Sequence, residues 1–113
     1  MLITVAELGE YQRRAEKLLV ESERHDIVNY VAAFPKAGDL IKGTCGVRKL
    51  RWRREGKGKS GGVRVIYYFH SEAMPLYLLT VFGKNEKANL SKAERNDLAK
   101  LVGVLKTSVE RNG

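Results

Sequence analysis

Apolar residues recur at helical spacing through the first third of the chain. A T-x-x-E pattern at Thr4 and Glu7 resembles a capping box and predicts that a first helix begins there. The buried face of this helix is then Tyr11, Ala15, Leu18 and Leu19. A second helix is predicted from Ser22 to Pro35, with an apolar side made of Ile27, Val28, Val31 and Phe34. Together the two helices form an αα-hairpin.

The apolar period then changes from that of a helix to that of a strand. "GVRKLRWR" alternates up to Arg53, with Leu50 and Trp52 on one face and Lys49 and Arg51 on the other. Arg53 continues the basic face. The alternation therefore predicts a strand with one apolar and one basic face.

A second strand, "VRVIYYF" from Val63 to Phe69, is apolar on both faces and is therefore expected to be central. Arg64 is the exception in this strand, and it shares a face with Ile66 and Tyr68. "LYLLTVF", from Leu76 to Phe82, predicts a third strand.

A second capping-box pattern, at Ser91 and Glu94, opens a C-terminal helix of about 20 residues whose apolar positions run from Leu98 to Val109. The predicted order is α-α-β-β-β-α, with a short strand at Leu2 to Val5 as an optional addition. We expect a single domain over residues 1–113, of the α+β class. The helical hairpin and the C-terminal helix would pack on one face of a small antiparallel sheet, and the basic residues would lie on the other.

Charge is concentrated in one part of the chain. The net charge is +8, and the segment from Lys42 to Arg64 holds nine basic residues against the single acid Glu55. The rest of the chain is balanced. A one-sign segment of this kind is the footprint of a polyanion site, most often for nucleic acid, whereas a merely soluble surface mixes signs.

Other compositional features exclude some functions. No apolar run approaches the roughly 20 residues of a transmembrane helix, and no secretory signal pattern is present. The lone Cys45 cannot form an internal disulfide, so we expect a cytoplasmic protein. His25 and His70 are isolated, and we expect no metal or cofactor.

The stretch "EGKGKSGGVRV" imitates a nucleotide-binding loop, because Gly56, Gly58 and Gly61 spell G-x-G-x-x-G. Dinucleotide folds and P-loops need a helix after the glycines, and here a strand follows. A kinase would need further motifs that the chain lacks. The glycines are better explained by a hairpin turn, and Lys57 and Lys59 within it are available to hold phosphates.

Three blocks carry a resemblance to a known family. "FPKAGDLIKGTCGVRKLRW", "GKGKSGGVRVIYYFH" and "LLTVFGKNEKANLSKAER" resemble the RelE/ParE toxin superfamily, specifically its HigB-like branch. The likeness runs from about Phe34 to Arg95, and the N-terminal helices fit by architecture only.

The resemblance implies the toxin of a type II toxin–antitoxin pair. Such toxins enter the A site of the 30S ribosomal subunit and cut mRNA without a metal. The 2′-hydroxyl attacks the adjacent phosphate and expels the 5′-oxygen of the next nucleotide. The chemistry needs a base, a positive clamp on the phosphorane and an acid, and a lysine among basic neighbours can serve as the base. The implied partners are a cognate antitoxin, of the helix-turn-helix type, the ribosome and mRNA, with no membrane.

Residue by residue, the resemblance assigns catalysis to four basic positions, of which Arg64 is the strongest: Lys49, Arg51, Arg64 and Lys84. We expect RNA contacts from the remaining polar and basic positions: Arg48, Arg53, Lys57, Lys59, Tyr68, Asn85 and Lys87. Many members carry a tyrosine soon after the last strand, but this chain has Asn89, Leu90 and Ser91 there. The general acid is therefore unassigned, and Tyr68 is a substitute on the face of Arg64.

Two other functions stay open from the sequence. One is a toxin of the same fold that acts on DNA gyrase, as in the ParE branch, although the basic cluster here is absent from that branch. The other is a basic RNA-binding module without catalysis, which would bind RNA with a steep salt dependence. A plain structural domain is the third possibility.

Overall fold

A computed structural model gives the structure of the chain and describes residues 3–53 and 62–112. Its helices are α1 (Gly9–Leu18), α2 (Glu21–Ala33) and α3 (Lys92–Asn112). Its strands are β1 (Val5–Glu7), β2 (Asp39–Leu40), β3 (Val47–Trp52), β4 (Val63–Tyr68) and β5 (Leu76–Gly83). The strands form a single sheet in the order β1-β5-β4-β3-β2. Within these residues, no helix is both long and apolar enough to cross a membrane.

The predicted α+β class is confirmed, as are the three long strands and the C-terminal helix. The sheet is mixed, however, because β1 runs parallel to β5 while β2, β3, β4 and β5 are antiparallel neighbours. The capping box at Thr4 and Glu7 was a wrong prediction, since α1 begins at Gly9. The Thr4 carbonyl instead accepts the amide of Leu76 at 2.9 Å, and Glu7 pairs with Leu78. The backbone around Thr4 and Glu7 therefore pairs with β5 and does not begin a helix.

Strand β4 is the centre of the sheet, as its apolar content predicted. Alternate side chains of this strand enter two separate cores, because successive residues point to opposite faces. On one face Val63, Val65 and Tyr67 pack with residues of α1 and α2. On the other face Ile66 and Tyr68 pack with residues of α3. The sheet is thus covered on both sides.

This double cover corrects the expectation that all helices lie on one face. Tyr11, Ala15 and Ile27 of the helical hairpin are fully buried on one side of the sheet. Leu98 and Val102 of α3 are buried on the other side. The basic residues therefore do not have a sheet face to themselves, and those on the second face must lie where α3 leaves it open.

The segment between α2 and β2 is held by two side chains from the sheet. The Tyr67 hydroxyl donates to the Pro35 carbonyl at 2.9 Å and accepts from the Gly38 amide at 2.8 Å. The Arg48 guanidinium donates to the carbonyls of Gly38, at 2.7 Å, and Lys36, at 3.2 Å. These bonds satisfy backbone groups that no regular element pairs, and they place β2 beside β3.

The close approach at Gly38 leads to a stability prediction. A Cβ at this position would lie 2.9 Å from the Tyr67 hydroxyl and 3.1 Å from the Lys49 carbonyl. We therefore expect Gly38→Ala to lower the free energy of unfolding by about 1–3 kcal/mol, the usual cost of overpacking. Urea unfolding followed by circular dichroism measures the change.

The matched control is Gly103→Ala in α3, where an added Cβ meets nothing within 4 Å. This variant should be as stable as the parent protein or more stable by up to about 1 kcal/mol, because alanine is the better helix former. Equal stability of the two variants would show that the Tyr67 contact tolerates a methyl group.

Candidate functional site

Two arginines face each other at the end of the sheet that leads into residues 54–61. Arg51 of β3 and Arg64 of β4 are direct cross-strand partners. They lie on the α3 side of the sheet, because Arg64 alternates with the buried Val63 and Val65 of the opposite core. Like charges directly opposite one another destabilise a sheet. Their pairing makes this end of the sheet a candidate site for a negatively charged ligand.

Arg64 has no carboxylate partner among the described residues. Its one hydrogen bond there is a 3.5 Å contact from Nη1 to the adjacent carbonyl of Val63. The side chain is neither buried nor fully exposed. The described residues therefore give no salt bridge that would explain this charge in an otherwise apolar strand.

Lys84 approaches Arg64 from the turn after β5. Its amide donates to the Gly62 carbonyl at 3.1 Å, which closes the end of the β4–β5 ladder. A Cβ on Gly62 would lie 3.5 Å from Lys84 Cδ and 3.7 Å from Arg64 Nη1. Both side chains thus converge on the same point above Gly62. The structure brings together two of the four predicted catalytic residues at this point.

The other two predicted catalytic residues lie along β3 on the same sheet face. Lys49 is the cross-strand partner of Ile66, two residues from Arg64. Arg51 Nη1 lies 3.6 Å from Asp39 Oδ2, and both side chains are largely exposed. An exposed pair of this kind contributes roughly 0–1 kcal/mol, so Asp39 offsets part of the charge of Arg51 and holds it only weakly.

The turn that carries Lys84 is fixed by a contact that sequence reasoning missed. Arg14 of α1 donates from Nε to the Val81 carbonyl at 2.6 Å and from Nη2 to Glu86 Oε2 at 2.5 Å. The other oxygen of Glu86 accepts the Gly83 amide at 3.0 Å. The Gly83 amide, and after it Arg14, lowers the pKa of the Glu86 carboxyl. No local sequence pattern reveals the Arg14–Glu86 ion pair, because the two residues are 72 positions apart.

Lys87 is held just beyond that turn. Its ammonium bonds to the Glu94 carboxylate and lies 5.0 Å from the centre of the Phe82 ring. Phe82 is the cross-strand partner of Arg64. Glu94 also accepts the Ser91 amide at 2.8 Å, and Ser91 Oγ accepts the Glu94 amide at 3.1 Å, which confirms the second predicted capping box. Lys87 therefore connects Phe82, the neighbour of Arg64, to the start of α3.

The remaining predicted RNA contacts are dispersed. Arg53 and Asn85 are exposed beside the basic site, at the ends of β3 and β5. Arg48 faces the other core and is bonded to the backbone of residues 36 and 38, so the structure places it away from the cluster. Lys57 and Lys59 lie outside the described residues.

Tyr68, the substitute for the missing acid, is on the predicted face but not at the site. It is 2% exposed beneath α3 and lies four residues from Arg64, roughly 13 Å along the strand. Burial raises the pKa of its phenol, which makes it a poorer proton donor. In the parts of the chain that the structure describes, no three His, Cys, Asp or Glu side chains are close enough to hold a metal.

Comparison with known proteins agrees with this architecture. The family model described as the RelE toxin of the RelE/RelB toxin–antitoxin system matches residues 38–112. The chain belongs to the RelE toxin family. The match covers β2 to α3, the part of this toxin that contains every predicted site residue.

One solved structure shares the fold, and a second comparison gives a lower score. A double arginine-to-alanine mutant of the Escherichia coli toxin RelE in the free state superposes with a TM-score of 0.56. It is 15% identical and covers 78% of this chain and 90% of that one. A conserved hypothetical protein from Helicobacter pylori is 17% identical over 75% of this chain and 97% of its own, with a TM-score of 0.34. The family implies that this toxin pairs with an antitoxin.

The Lys87–Glu94 contact leads to a pH prediction. Lys87 and then the Ser91 amide lower the pKa of Glu94 from 4.5 to about 2. The stabilisation from the ionised carboxylate is therefore complete above about pH 4.5 and is lost as the pH falls towards 2. We expect Glu94→Gln to lose stability less steeply than the parent protein across this window. Thermal unfolding from pH 6 to pH 2 measures the difference.

The Glu94 side chain is 39% exposed, so solvent screening should keep this difference to about 1 kcal/mol or less. Glu10→Gln, at an exposed position of α1, is the control and should follow the parent profile. Parallel curves for Glu94→Gln and the parent protein would contradict the assignment of the acid-sensitive contact to Glu94.

Proposed function

We propose that this RelE-family toxin is a metal-independent endoribonuclease that cuts mRNA in the A site of the 30S subunit and so stops translation in the cytoplasm. The HigB-like branch and a helix-turn-helix antitoxin are parts of the same proposal. The observation that carries it is the convergence of Arg64 and Lys84 above Gly62, opposite Arg51. Among the described residues no carboxylate pairs with Arg64, and cationic groups of this kind suit a phosphate that gains charge during reaction.

In the proposed reaction the RNA 2′-oxygen loses its proton and attacks the adjacent phosphorus. A pentacoordinate phosphorane forms, and the bond to the 5′-oxygen of the next nucleotide breaks. The products are a 2′,3′-cyclic phosphate and a 5′-hydroxyl, so no water is consumed in this step. Arg64, with Arg51 beside it, holds the non-bridging oxygens, whose negative charge rises in the transition state.

The two lysines are the proton-transfer groups of the proposal. An arginine stays protonated in proteins and therefore acts only as a clamp. Lys49 and Lys84 border the arginine pair from β3 and from the turn after β5, so one can serve the 2′-oxygen and the other the leaving oxygen. This division needs no tyrosine after β5, the position where the chain departs from many family members.

Replacement of Arg64 is the direct test. We expect Arg64→Ala to lower the rate of mRNA cleavage on programmed ribosomes by about 10²–10³-fold, the usual effect of removing one charge-stabilising group. Lys84→Ala should also abolish growth arrest on expression. Stability should not fall in Arg64→Ala, because the change removes a like-charge pair from the sheet.

Arg13→Ala, an exposed arginine of α1, is the matched control and should remain fully active. Full toxicity of both Arg64→Ala and Lys84→Ala would refute the site assignment. DNA damage without mRNA cleavage would favour action on gyrase instead. Ribosome or RNA binding without any cleavage would favour the non-catalytic module.

The nature of the nucleophile is a separate prediction. A message with a single 2′-deoxynucleotide on the 5′ side of the scissile phosphate should resist cleavage at that bond, because the attacking oxygen is missing. The unmodified message should yield a 5′-hydroxyl fragment that polynucleotide kinase labels without prior phosphatase treatment. Cleavage of the deoxy-substituted bond at the normal rate would mean that water or a protein group attacks the phosphate.

A further inference from the structure

A second basic concavity lies at the tip of the β2–β3 hairpin, apart from Arg64 and Lys84. Its volume is about 440 Å³, and its lining combines the hairpin tip with the first turns of α3: Ile41, Lys42, Gly43, Lys92, Arg95 and Asn96. Three of these six residues are basic and none is acidic or aromatic. The groove between α1 and α3 is different, because Glu10, Glu94 and Asp97 line it together with basic residues.

The hairpin tip that presents Lys42 is built by its own hydrogen bonds. The side chain of Thr44 is fully buried, and its hydroxyl donates to the Ile41 carbonyl at 2.6 Å and accepts the Val47 amide at 3.1 Å. Gly43 and Gly46 have φ values of 82° and 113°, which let the chain turn tightly. The position of Lys42 is therefore set by a defined turn.

The α3 wall is fixed as well. Arg95 Nη1 donates to the Leu90 carbonyl at 2.8 Å, which anchors the guanidinium and leaves its other donors available. Lys42 and Lys92 are exposed and make no ion pair with any described residue. Two free ammonium groups and an anchored guanidinium thus surround a concavity that offers no countercharge of its own.

This concavity lies on the same side of the sheet as the proposed catalytic residues. Ile41 packs into the core beneath α3, next to the strand that carries Lys49 on that face. Asp39, two residues before Ile41, is the cross-strand partner of Lys49. A strand of RNA that crosses Lys49 and follows the hairpin towards its tip therefore reaches Lys42.

We propose that the concavity formed by Lys42, Lys92, Arg95 and Asn96 binds a backbone phosphate of RNA outside the scissile bond. The choice of RNA rests on the proposed function, whereas the anion site itself rests on the lining residues. Ammonium, guanidinium and amide groups all donate to phosphate oxygens. The lining offers no aromatic ring for stacking on a base, so the contact is made to the backbone and carries little sequence preference.

The test measures binding of a fluorescein-labelled, fully 2′-O-methylated single-stranded RNA, which cannot be cleaved by 2′-oxygen attack. Fluorescence anisotropy at a series of salt concentrations gives the slope of log K against log [salt]. Loss of one phosphate contact reduces this slope by about 0.7 for a single strand, so Lys42→Ala with Lys92→Ala should reduce it by about 0.7 and weaken binding at low salt. Lys42→Gln with Lys92→Gln should reproduce the result with less change in side-chain length.

Lys100→Ala, which removes an exposed charge from α3 outside the concavity, is the control and should leave the slope near the parent value. A slope for the double variant equal to that of Lys100→Ala, with the melting temperature unchanged, would overturn the proposal. Loss of antitoxin binding with RNA binding intact would also overturn it and would assign the concavity to a protein partner. The double variant could also show the expected smaller salt slope while the parent protein never cleaves mRNA. That result would support the phosphate site and refute the proposed reaction.

Discussion

The burial of β4 on both faces is the constraint on which the rest of the structure depends. Five of its six side chains enter a core, and Val63, Val65 and Tyr67 alternate with Ile66 and Tyr68 between the two sides of the sheet. Neither core forms unless β4 is central, and both helical layers take their positions from it. Arg64 lies at the end of this strand that α3 leaves open. The strand that contributes side chains to both cores therefore also fixes the direction of the arginine.

The sequence predicts the elements that have a long apolar pattern. It does not define the short strands, which exist only because their backbone groups pair with a neighbouring strand. Alternation identified β3, runs of apolar residues identified β4 and β5, and the capping box at Ser91 and Glu94 located the start of α3. Strands β1 and β2 have three and two residues, too few for any period, and their backbone partners alone define them. An apolar strand also does not tell which helix covers which face. The position of α3 opposite the helical hairpin was therefore beyond sequence reasoning.

The same distinction separates the site residues. Alternation along β3 and β4 correctly predicted that Lys49, Arg51 and Arg64 share a face. It does not tell how deeply a side chain on that face is buried. Arg48 and Tyr68 have side chains that suit RNA contact. Arg48 is instead bonded to a backbone carbonyl, and Tyr68 is buried in the core beneath α3. Arg14, which fixes the turn of Lys84, lies in the first helix, outside the basic segment. Tertiary contact alone makes it part of the site.

The distribution of paired and unpaired charges explains how such a site persists in a small fold. At the edge of the site, two ion pairs join different parts of the chain. They are Arg14 with Glu86 and Lys87 with Glu94. The centre of the site keeps Arg51 and Arg64 opposite each other, and among the described residues the exposed Asp39 is the carboxylate that lies against the pair. Repulsion at the centre lowers stability, and burial of β4 elsewhere must exceed that cost. Under the proposed function, a polyanion that enters this centre removes the repulsion, so binding and folding stability would be coupled through the same two arginines.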